Sequence, residues 1–298
     1  MSNGKALAWS IHKGEPEYLE RAAQSLRDNG FCVLHGGIVP PPLVGRSAAA
    51  IWDRLDVLLR AAHEKGLDVD GLLRFNELCK RQPGARYDLR LPLGDANSFV
   101  PFGAAGIADA DAWCSIKPLV DAHAVPILRL AALGECASAK SGRRMSQGAS
   151  SACLGRQSSL HTSPLLVNAF VPLVAIDADN GPTELQPGSQ DSSTASIPED
   201  PYAPLPAAVA PCLSAGDLLL FQYRTLHRGL ANTSAAGRPI LCQRSRRACN
   251  ARIRSYCHRH AQLALLLMHH FVPASADFTY GGHGLVDTHN FPTDTPLL

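Results

Sequence analysis

Apolar side chains recur at helical spacing in the first half of the chain. The segment PEYLERAAQSLRDNG, residues 16–30, places its apolar positions on one helix face and ends at Asn29 and Gly30, which are typical of a C-terminal cap. A longer helix is predicted at residues 43–66, directly after three prolines, because apolar residues repeat there every three or four positions. Further helices are predicted in DGLLRFNELCKR, residues 70–81, and over residues 109–133 with interruptions at Pro118 and Pro126.

Shorter apolar runs and alternating patterns predict β-strands. Residues 31–34 form a short apolar run, and RYDLRLP at 86–92 alternates apolar with charged positions. From about residue 160, apolar runs of strand length are separated by turn clusters, which indicates an antiparallel sheet assembly. These later runs are PLLVNAFVPLVA, TELQP, DLLLFQY and RPILCQ.

The order of these elements, helices first and strands later, predicts an α+β chain. We expect its second half to form a double-stranded β-helix, the cupin-like jelly roll, with an N-terminal helical cover. The expected organisation is a single domain over residues 1–298, with a helical part at about 1–135 and a jelly-roll part at about 136–298.

The charge balance argues against several classes of partner. Lys and Arg number 28 against 26 Asp and Glu, so no strong field points to nucleic acid or to a membrane surface. The N-terminus lacks a signal-peptide pattern, and the apolar runs are too short to cross a membrane. Nine cysteines without a Cys-x2-Cys pair fit reduced thiols. We therefore expect an intracellular, cytoplasmic protein that acts on a small-molecule substrate.

Two histidines and one arginine in the strand-rich part point to iron chemistry. Non-haem Fe(II) oxygenases hold iron with two histidines and one carboxylate, and a strand presents residues two apart on one side. His161 and His227 are the candidate histidine ligands, and Ser163 stands where the carboxylate is needed. Arg238, eleven residues after His227, is suited to bind the far carboxylate of 2-oxoglutarate bidentately.

Several segments together resemble the phytanoyl-CoA dioxygenase family of Fe(II)/2-oxoglutarate-dependent oxygenases. The resemblance implies hydroxylation of a small organic substrate coupled to decarboxylation of 2-oxoglutarate. It also implies that His227 is a metal ligand, that Arg238 binds 2-oxoglutarate, and that Gln157 and Asn168 contact this co-substrate. The segments are GFCVLHGGIVPPPLV (30–44), VNAFVPL (167–173), DNGPTELQPGSQ (179–190), GDLLLFQYRTLHRGLANTSAAGRPIL (216–241) and DTHNFPT (287–293).

The first departure from the family pattern is at the carboxylate ligand. The family has His-x-Asp, whereas this chain has His161-Thr162-Ser163 and lacks the segment that should follow. Four interpretations are open: an impaired enzyme, a halogenase-like variant that fills the position with halide, a non-catalytic jelly-roll binding protein, or an altered gene product. Asp177 or Asp179 could replace the carboxylate only through an unusual sheet register, because DADNGP has the composition of a turn.

The second departure is an insertion at about residues 244–284. It holds six arginines between 244 and 259, and we predict a solvated basic loop followed by an amphipathic helix. The spacing of its cysteines and histidines fits no paired zinc-ligand arrangement, and no aromatic platform for nucleic acid accompanies the arginines. The four residues considered for zinc are Cys249, Cys257, His258 and His260.

Overall fold

The computed structural model contains three helices and eleven strands in the part of the chain that it describes. The described residues are 8–75, 78–80, 86–90, 110–139, 166–190, 205–222, 224–246 and 263–268. The helices are α1 (Tyr18–Asp28), α2 (Pro41–Glu64) and α3 (Ala110–Ala139). The strands are β1 (Ser10–His12), β2 (Phe31–His35), β3 (Leu73–Arg74), β4 (Leu78–Lys80), β5 (Arg86–Arg90), β6 (Leu166–Pro172), β7 (Thr183–Leu185), β8 (Leu218–Gln222), β9 (His227–Gly229), β10 (Arg238–Arg246) and β11 (Leu263–Met268).

The first two helices form where the apolar spacing predicts them. In α1, Ala22 and Leu26 are buried, and the helix ends where the Asn29 N–H donates to the Ser25 carbonyl at 2.8 Å. Gly30 follows with φ of 79°, a left-handed conformation that glycine adopts without a steric cost and that confirms the predicted cap. The second helix, α2, begins at Pro41 and buries its predicted apolar stripe, which includes Ile51.

The third helix runs without a break through both of its prolines. We predicted interruptions at Pro118 and Pro126, and this was wrong because α3 is continuous over 30 residues. Each proline removes a backbone hydrogen bond, but the helix buries an apolar face against the same core as α1 and α2. The buried side chains of that face offset the lost hydrogen bonds; they are Ile116, Val120, Ala124, Ile127 and Ala131.

Nine strands form one mixed sheet in the order β1-β2-β8-β6-β10-β11-β5-β4-β3. Only the β1–β2 pair is parallel among these strands, and the remaining pairs are antiparallel. Strands β7 and β9 form a separate two-stranded antiparallel sheet. The architecture is α+β, as predicted, although β1 to β5 lie within the first 135 residues and therefore interleave with the helices.

The large sheet has two apolar faces. Alternate residues of β2, β6 and β8 pack with all three helices in one core, which includes Leu34, Val171 and Leu220. The intervening residues pack in a second core on the opposite face, together with Leu185 of the small sheet. We call this second side the inner face of the large sheet.

Two predicted helices are strands. Residues 70–81 contain β3 and β4, which pair with each other, and Leu78 lies opposite Leu89 of β5. The predicted amphipathic helix of the insertion was also wrong, since residues 263–268 form β11 between β10 and β5. Both segments have short apolar runs that suit either structure, and pairing with neighbouring strands decides in favour of the sheet.

None of the helices in the described part of the chain combines the length and the apolar character that a transmembrane span requires.

Candidate functional site

The inner face of the large sheet carries two buried polar side chains among apolar neighbours. Successive residues of a strand point to opposite faces. Phe170 and Ile240 pack in the inner core, so Asn168 on β6 and Arg238 on β10, each two residues away, lie on the same inner face. Asn168 and Arg238, both predicted from the sequence as site residues, therefore lie on one side of the sheet. They are not neighbours across the strands, because Asn168 lies opposite Arg244, six residues along β10 from Arg238.

His227 faces the same inner core from the small sheet. It lies opposite Leu185 in the β7–β9 pair, and Leu185 is fully buried in the inner core. The imidazole packs against the Phe221 ring with centroids 4.7 Å apart, and Phe221 meets Phe170 edge-on at 4.9 Å. These aromatic contacts connect His227 to the strand that carries Asn168.

The His227 imidazole is held in one tautomer. Its Nδ1 lies 2.7 Å from the carbonyl oxygen of Thr225. Because a carbonyl oxygen can only accept, Nδ1 carries the proton and Nε2 is the basic nitrogen of the neutral ring. Histidines that bind metals commonly have this arrangement, in which one ring nitrogen donates to the protein and the other ligates the metal.

Arg238 is a buried charge. Only 1% of the residue is exposed, and it is the first residue of β10. Burial of a guanidinium is costly unless an anion or several hydrogen-bond acceptors compensate it. A planar guanidinium in such surroundings is well suited to bind a carboxylate through two parallel hydrogen bonds.

Asn168 presents a buried acceptor. The residue is 5% exposed, and its Oδ1 has no hydrogen-bond partner among the residues that the structure describes. A buried amide oxygen without a partner is unfavourable, so this position gains from a donor on a bound molecule or from water. Asn168 pairs with Phe221 across β6 and β8, which places it one strand away from the His227 contact.

The remaining predicted site residues lie outside the described part of the chain. These are Gln157, His161 and Ser163, so the relation of His161 to His227 stays a prediction. Within the described ranges, no three His, Cys, Asp or Glu residues come together as a metal site. The four residues considered for zinc also lie outside; they are Cys249, Cys257, His258 and His260.

The turn that contains Asp177 and Asp179 is exposed, and one of its carboxylates stabilises the turn itself. Asp177 Oδ1 accepts hydrogen bonds from the backbone N–H groups of Asp179 and Asn180, each at 3.0 Å. Asp179 accepts through its main-chain carbonyl from the Thr233 N–H at 2.7 Å. Both aspartates are exposed to solvent, as expected for a turn.

Two hydroxyl residues near His227 were not identified from the sequence. Thr225 supplies the carbonyl that holds the imidazole, and its hydroxyl donates to the Gly30 carbonyl at 3.0 Å. Ser189 accepts a hydrogen bond from the Leu226 N–H at 2.8 Å. Ser189 lies in the PGSQ turn and Thr225 lies two residues before His227, but no sequence pattern indicates their hydrogen bonds, because these bonds join segments that are distant in the sequence.

Solved structures of other proteins align with most of the chain at low identity. The epimerase SnoN from nogalamycin biosynthesis, described as non-heme and alpha-ketoglutarate-dependent, is 15% identical, with 89% of each chain covered and a TM-score of 0.38. AviO1 from Streptomyces viridochromogenes Tue57 is 16% identical, with 87% of this chain and 96% of that chain covered and a TM-score of 0.37.

A family model gives the stronger comparison. Residues 155–240 match the model of phytanoyl-CoA dioxygenase (PhyH). The matched segment contains both candidate histidines, His161 and His227, together with Arg238 and Asn168. The resemblance to the phytanoyl-CoA dioxygenase family is thereby confirmed for residues 155–240.

Proposed function

We propose that the protein is an Fe(II)/2-oxoglutarate-dependent dioxygenase-like protein whose iron site is impaired. Its reaction is the hydroxylation of a small organic substrate coupled to decarboxylation of 2-oxoglutarate. The observation that carries the proposal is the burial of Arg238 on the sheet face that His227 also faces. A buried guanidinium on the same side of the sheet as an oriented histidine matches the needs of a chelating dicarboxylate that binds a metal.

We assign the candidate residues to two roles, the binding of iron and the binding of 2-oxoglutarate. His161 and His227 would hold the iron, the latter through Nε2 because its Nδ1 proton is committed to Thr225. Arg238 binds the far carboxylate of 2-oxoglutarate, while Asn168 and Gln157 make polar contacts to the same molecule. Iron, when bound, supplies the oxidising chemistry that uses oxygen and yields succinate. The apolar inner core around Phe221 keeps water from the bound co-substrate.

The impairment follows from Ser163. A serine hydroxyl is neutral and is a poor ligand for Fe(II), so the site lacks its anionic protein donor. The turn at Asp177 and Asp179 supports this interpretation, since both residues are exposed to solvent and Asp177 Oδ1 accepts hydrogen bonds within the turn itself. We therefore expect weak binding of Fe(II) and slow formation of succinate.

The second candidate is a non-catalytic binding protein that retains the 2-oxoglutarate site. The same substitution at Ser163 favours it, because Arg238 and Asn168 can bind a dicarboxylate without a competent metal. A halogenase-like variant is the third interpretation, in which halide occupies the position of the missing carboxylate.

We propose one domain over residues 1–298 in which the large and small sheets are the two layers of a jelly roll. The antiparallel pairing and the inner core between the sheets support it. The partner is a small-molecule substrate, and the setting is the cytoplasm.

The test is an anaerobic titration with Fe(II) and 2-oxoglutarate, monitored through the visible charge-transfer band, followed by a succinate assay in air. His227→Gln is the control that removes the proposed ligand. A weak band and slow succinate formation that His227→Gln abolishes are expected. Tight iron binding with rapid turnover would refute the impairment, and binding of 2-oxoglutarate without any succinate would favour the non-catalytic protein. A signal that depends on chloride would favour the halogenase-like variant.

A further inference from the structure

We propose that Thr225 is a positioning residue for His227. Its carbonyl sets the tautomer and the orientation of the imidazole, and its hydroxyl sets the direction of that carbonyl. The inference rests on the proposed function, because it concerns how His227 is prepared to bind a metal through Nε2.

The hydroxyl of Thr225 ties the start of the His227 turn to the end of helix α1. Thr225 is 1% exposed, and its Oγ1 donates to the Gly30 carbonyl at 3.0 Å. The backbone N–H of Thr225 donates to the Gln222 carbonyl at 2.9 Å. The hydroxyl and the backbone N–H of Thr225 are therefore both held by hydrogen bonds to residues that precede Thr225 in the sequence.

Leu226, the residue after Thr225, is held by the segment that contains Gln186 and Ser189. The Leu226 N–H donates to Ser189 Oγ at 2.8 Å, and the Leu226 carbonyl accepts from the Gln186 N–H at 3.0 Å. Ser189 Oγ in turn donates to the Gln186 carbonyl at 2.7 Å. The peptide group between Thr225 and Leu226 is thus restrained on both sides, so the Thr225 carbonyl is directed at the imidazole before any ligand binds.

Glycine at position 30 leaves room for this contact, as well as for the side chain of Gln190. A Cβ at Gly30 would lie 2.4 Å from Thr225 Oγ1, which is closer than a methyl group allows. The bare backbone therefore lets the threonine hydroxyl approach the Gly30 carbonyl. The same carbonyl also accepts from the Gln222 N–H at 2.7 Å, so it keeps a partner if the hydroxyl is removed.

These contacts define a matched set of variants. Thr225→Val keeps the shape of the side chain and removes the donor, whereas Thr225→Ser keeps the hydroxyl. The control is Thr233→Val, because the Thr233 hydroxyl also donates to a backbone carbonyl, that of Asp179 at 2.8 Å, but on an exposed turn. If Thr225→Val does not fold, Ser189→Ala replaces it, since this change removes the acceptor of the Leu226 N–H.

The first readout is nitrogen-15 NMR of the imidazole in the metal-free protein at about pH 8.5, where an ordinary histidine is neutral. His227→Gln assigns the signal. We expect the Nδ1–H tautomer in the unmodified protein, in Thr225→Ser and in Thr233→Val, and a mixture of tautomers in Thr225→Val. The second readout is Fe(II) affinity in the presence of 2-oxoglutarate, which Thr225→Val should weaken about 10-fold, the size typical for a group that orients a ligand.

The two readouts separate this inference from the proposed function. If the unmodified protein binds no Fe(II), the proposed function fails, and the tautomer alone then decides whether Thr225 orients His227. An unchanged tautomer in Thr225→Val overturns the inference. It is also overturned if the unmodified protein binds Fe(II) and Thr225→Val binds it equally well.

Discussion

The ring of Phe221 lies 4.7 Å, centroid to centroid, from the imidazole of His227. This contact joins the large sheet to the small sheet, since Phe221 belongs to β8 and His227 to β9. Phe221 is completely buried and also meets Phe170 edge-on. The candidate ligand is therefore positioned by the apolar core as well as by its hydrogen bond to Thr225.

Truncation of Phe221 should destabilise the fold strongly. Phe221→Ala removes a buried aromatic ring and leaves a cavity between the two sheets, which typically costs about 3–5 kcal/mol. Urea unfolding followed by circular dichroism measures the free energy of unfolding. Leu72→Ala is the control, because Leu72 is 52% exposed and should change the stability by no more than about 0.5 kcal/mol. A loss below about 1 kcal/mol for Phe221→Ala would contradict the proposed packing of the inner core.

Acid should weaken the docking of helix α3 on helix α1. The Tyr18 hydroxyl lies 3.0 Å from His123 Nδ1, and burial, assisted by the charge of Lys13, lowers the pKa of His123. The neutral imidazole accepts a hydrogen bond from the Tyr18 hydroxyl at Nδ1, and protonation of Nδ1 removes that acceptor. Because the unfolded chain binds this proton more readily, the stability is complete above about pH 6.5 and falls as the pH drops toward the lowered pKa.

The variant His123→Gln tests this pH dependence. Glutamine can still accept from Tyr18 but does not titrate, so the loss of stability between about pH 7.5 and pH 5.5 should be smaller than in the unmodified protein. Urea unfolding at the two pH values gives the difference. Leu72→Ala, at an exposed position and without a titratable group, is the control and should keep the pH dependence of the unmodified protein. Equal pH dependence in His123→Gln and the unmodified protein would exclude His123 as the titrating group.

Restoring a carboxylate at position 163 should improve metal binding in part. Ser163→Asp supplies the anionic ligand and should tighten Fe(II) binding by about 10-fold or more, since even an outer-shell partner contributes that much. Succinate formation should rise less, because the segment that follows the aspartate in the family is missing here. Ser159→Asp adds the same charge nearby and serves as the control. If the two variants behave alike, position 163 is not next to the metal.

The sequence predicted correctly those helices and strands whose structure depends on the spacing of nearby apolar residues. The apolar stripe of α2 and the alternation of Tyr87 and Leu89 in β5 both appear where the sequence indicated them. The predictions failed for β3, β4 and β11, which are short apolar runs whose structure is decided by strand pairing. Strand β3 pairs with β4, β4 pairs with β5, and β11 pairs with β10 and β5, of which β5 is distant from it in sequence. A prediction that uses only residues close together in the sequence cannot detect such pairing.

The residues of the candidate site also differ in whether the sequence predicts them. His227 and Arg238 were predicted from their spacing and from the family resemblance, and Asn168 from the resemblance alone; their roles stay predictions. Thr225 and Ser189 could not be predicted, since their roles depend on hydrogen bonds to Gly30 and Leu226 that only the folded chain brings within reach. The residues that hold a site in place are generally harder to predict than the residues that perform its chemistry.

The central claim is that Arg238 binds the far carboxylate of 2-oxoglutarate, and anaerobic calorimetric titration of 2-oxoglutarate in the presence of Fe(II) tests it most directly. Arg238→Met keeps much of the side-chain volume and removes the charge, so the affinity should fall by at least about 10-fold, the equivalent of one lost charged hydrogen bond. Arg224→Met, at an exposed position three residues before His227, is the matched control and should bind like the unmodified protein. If Arg238→Met folds normally and binds 2-oxoglutarate as tightly as the unmodified protein, the assignment of this site is wrong.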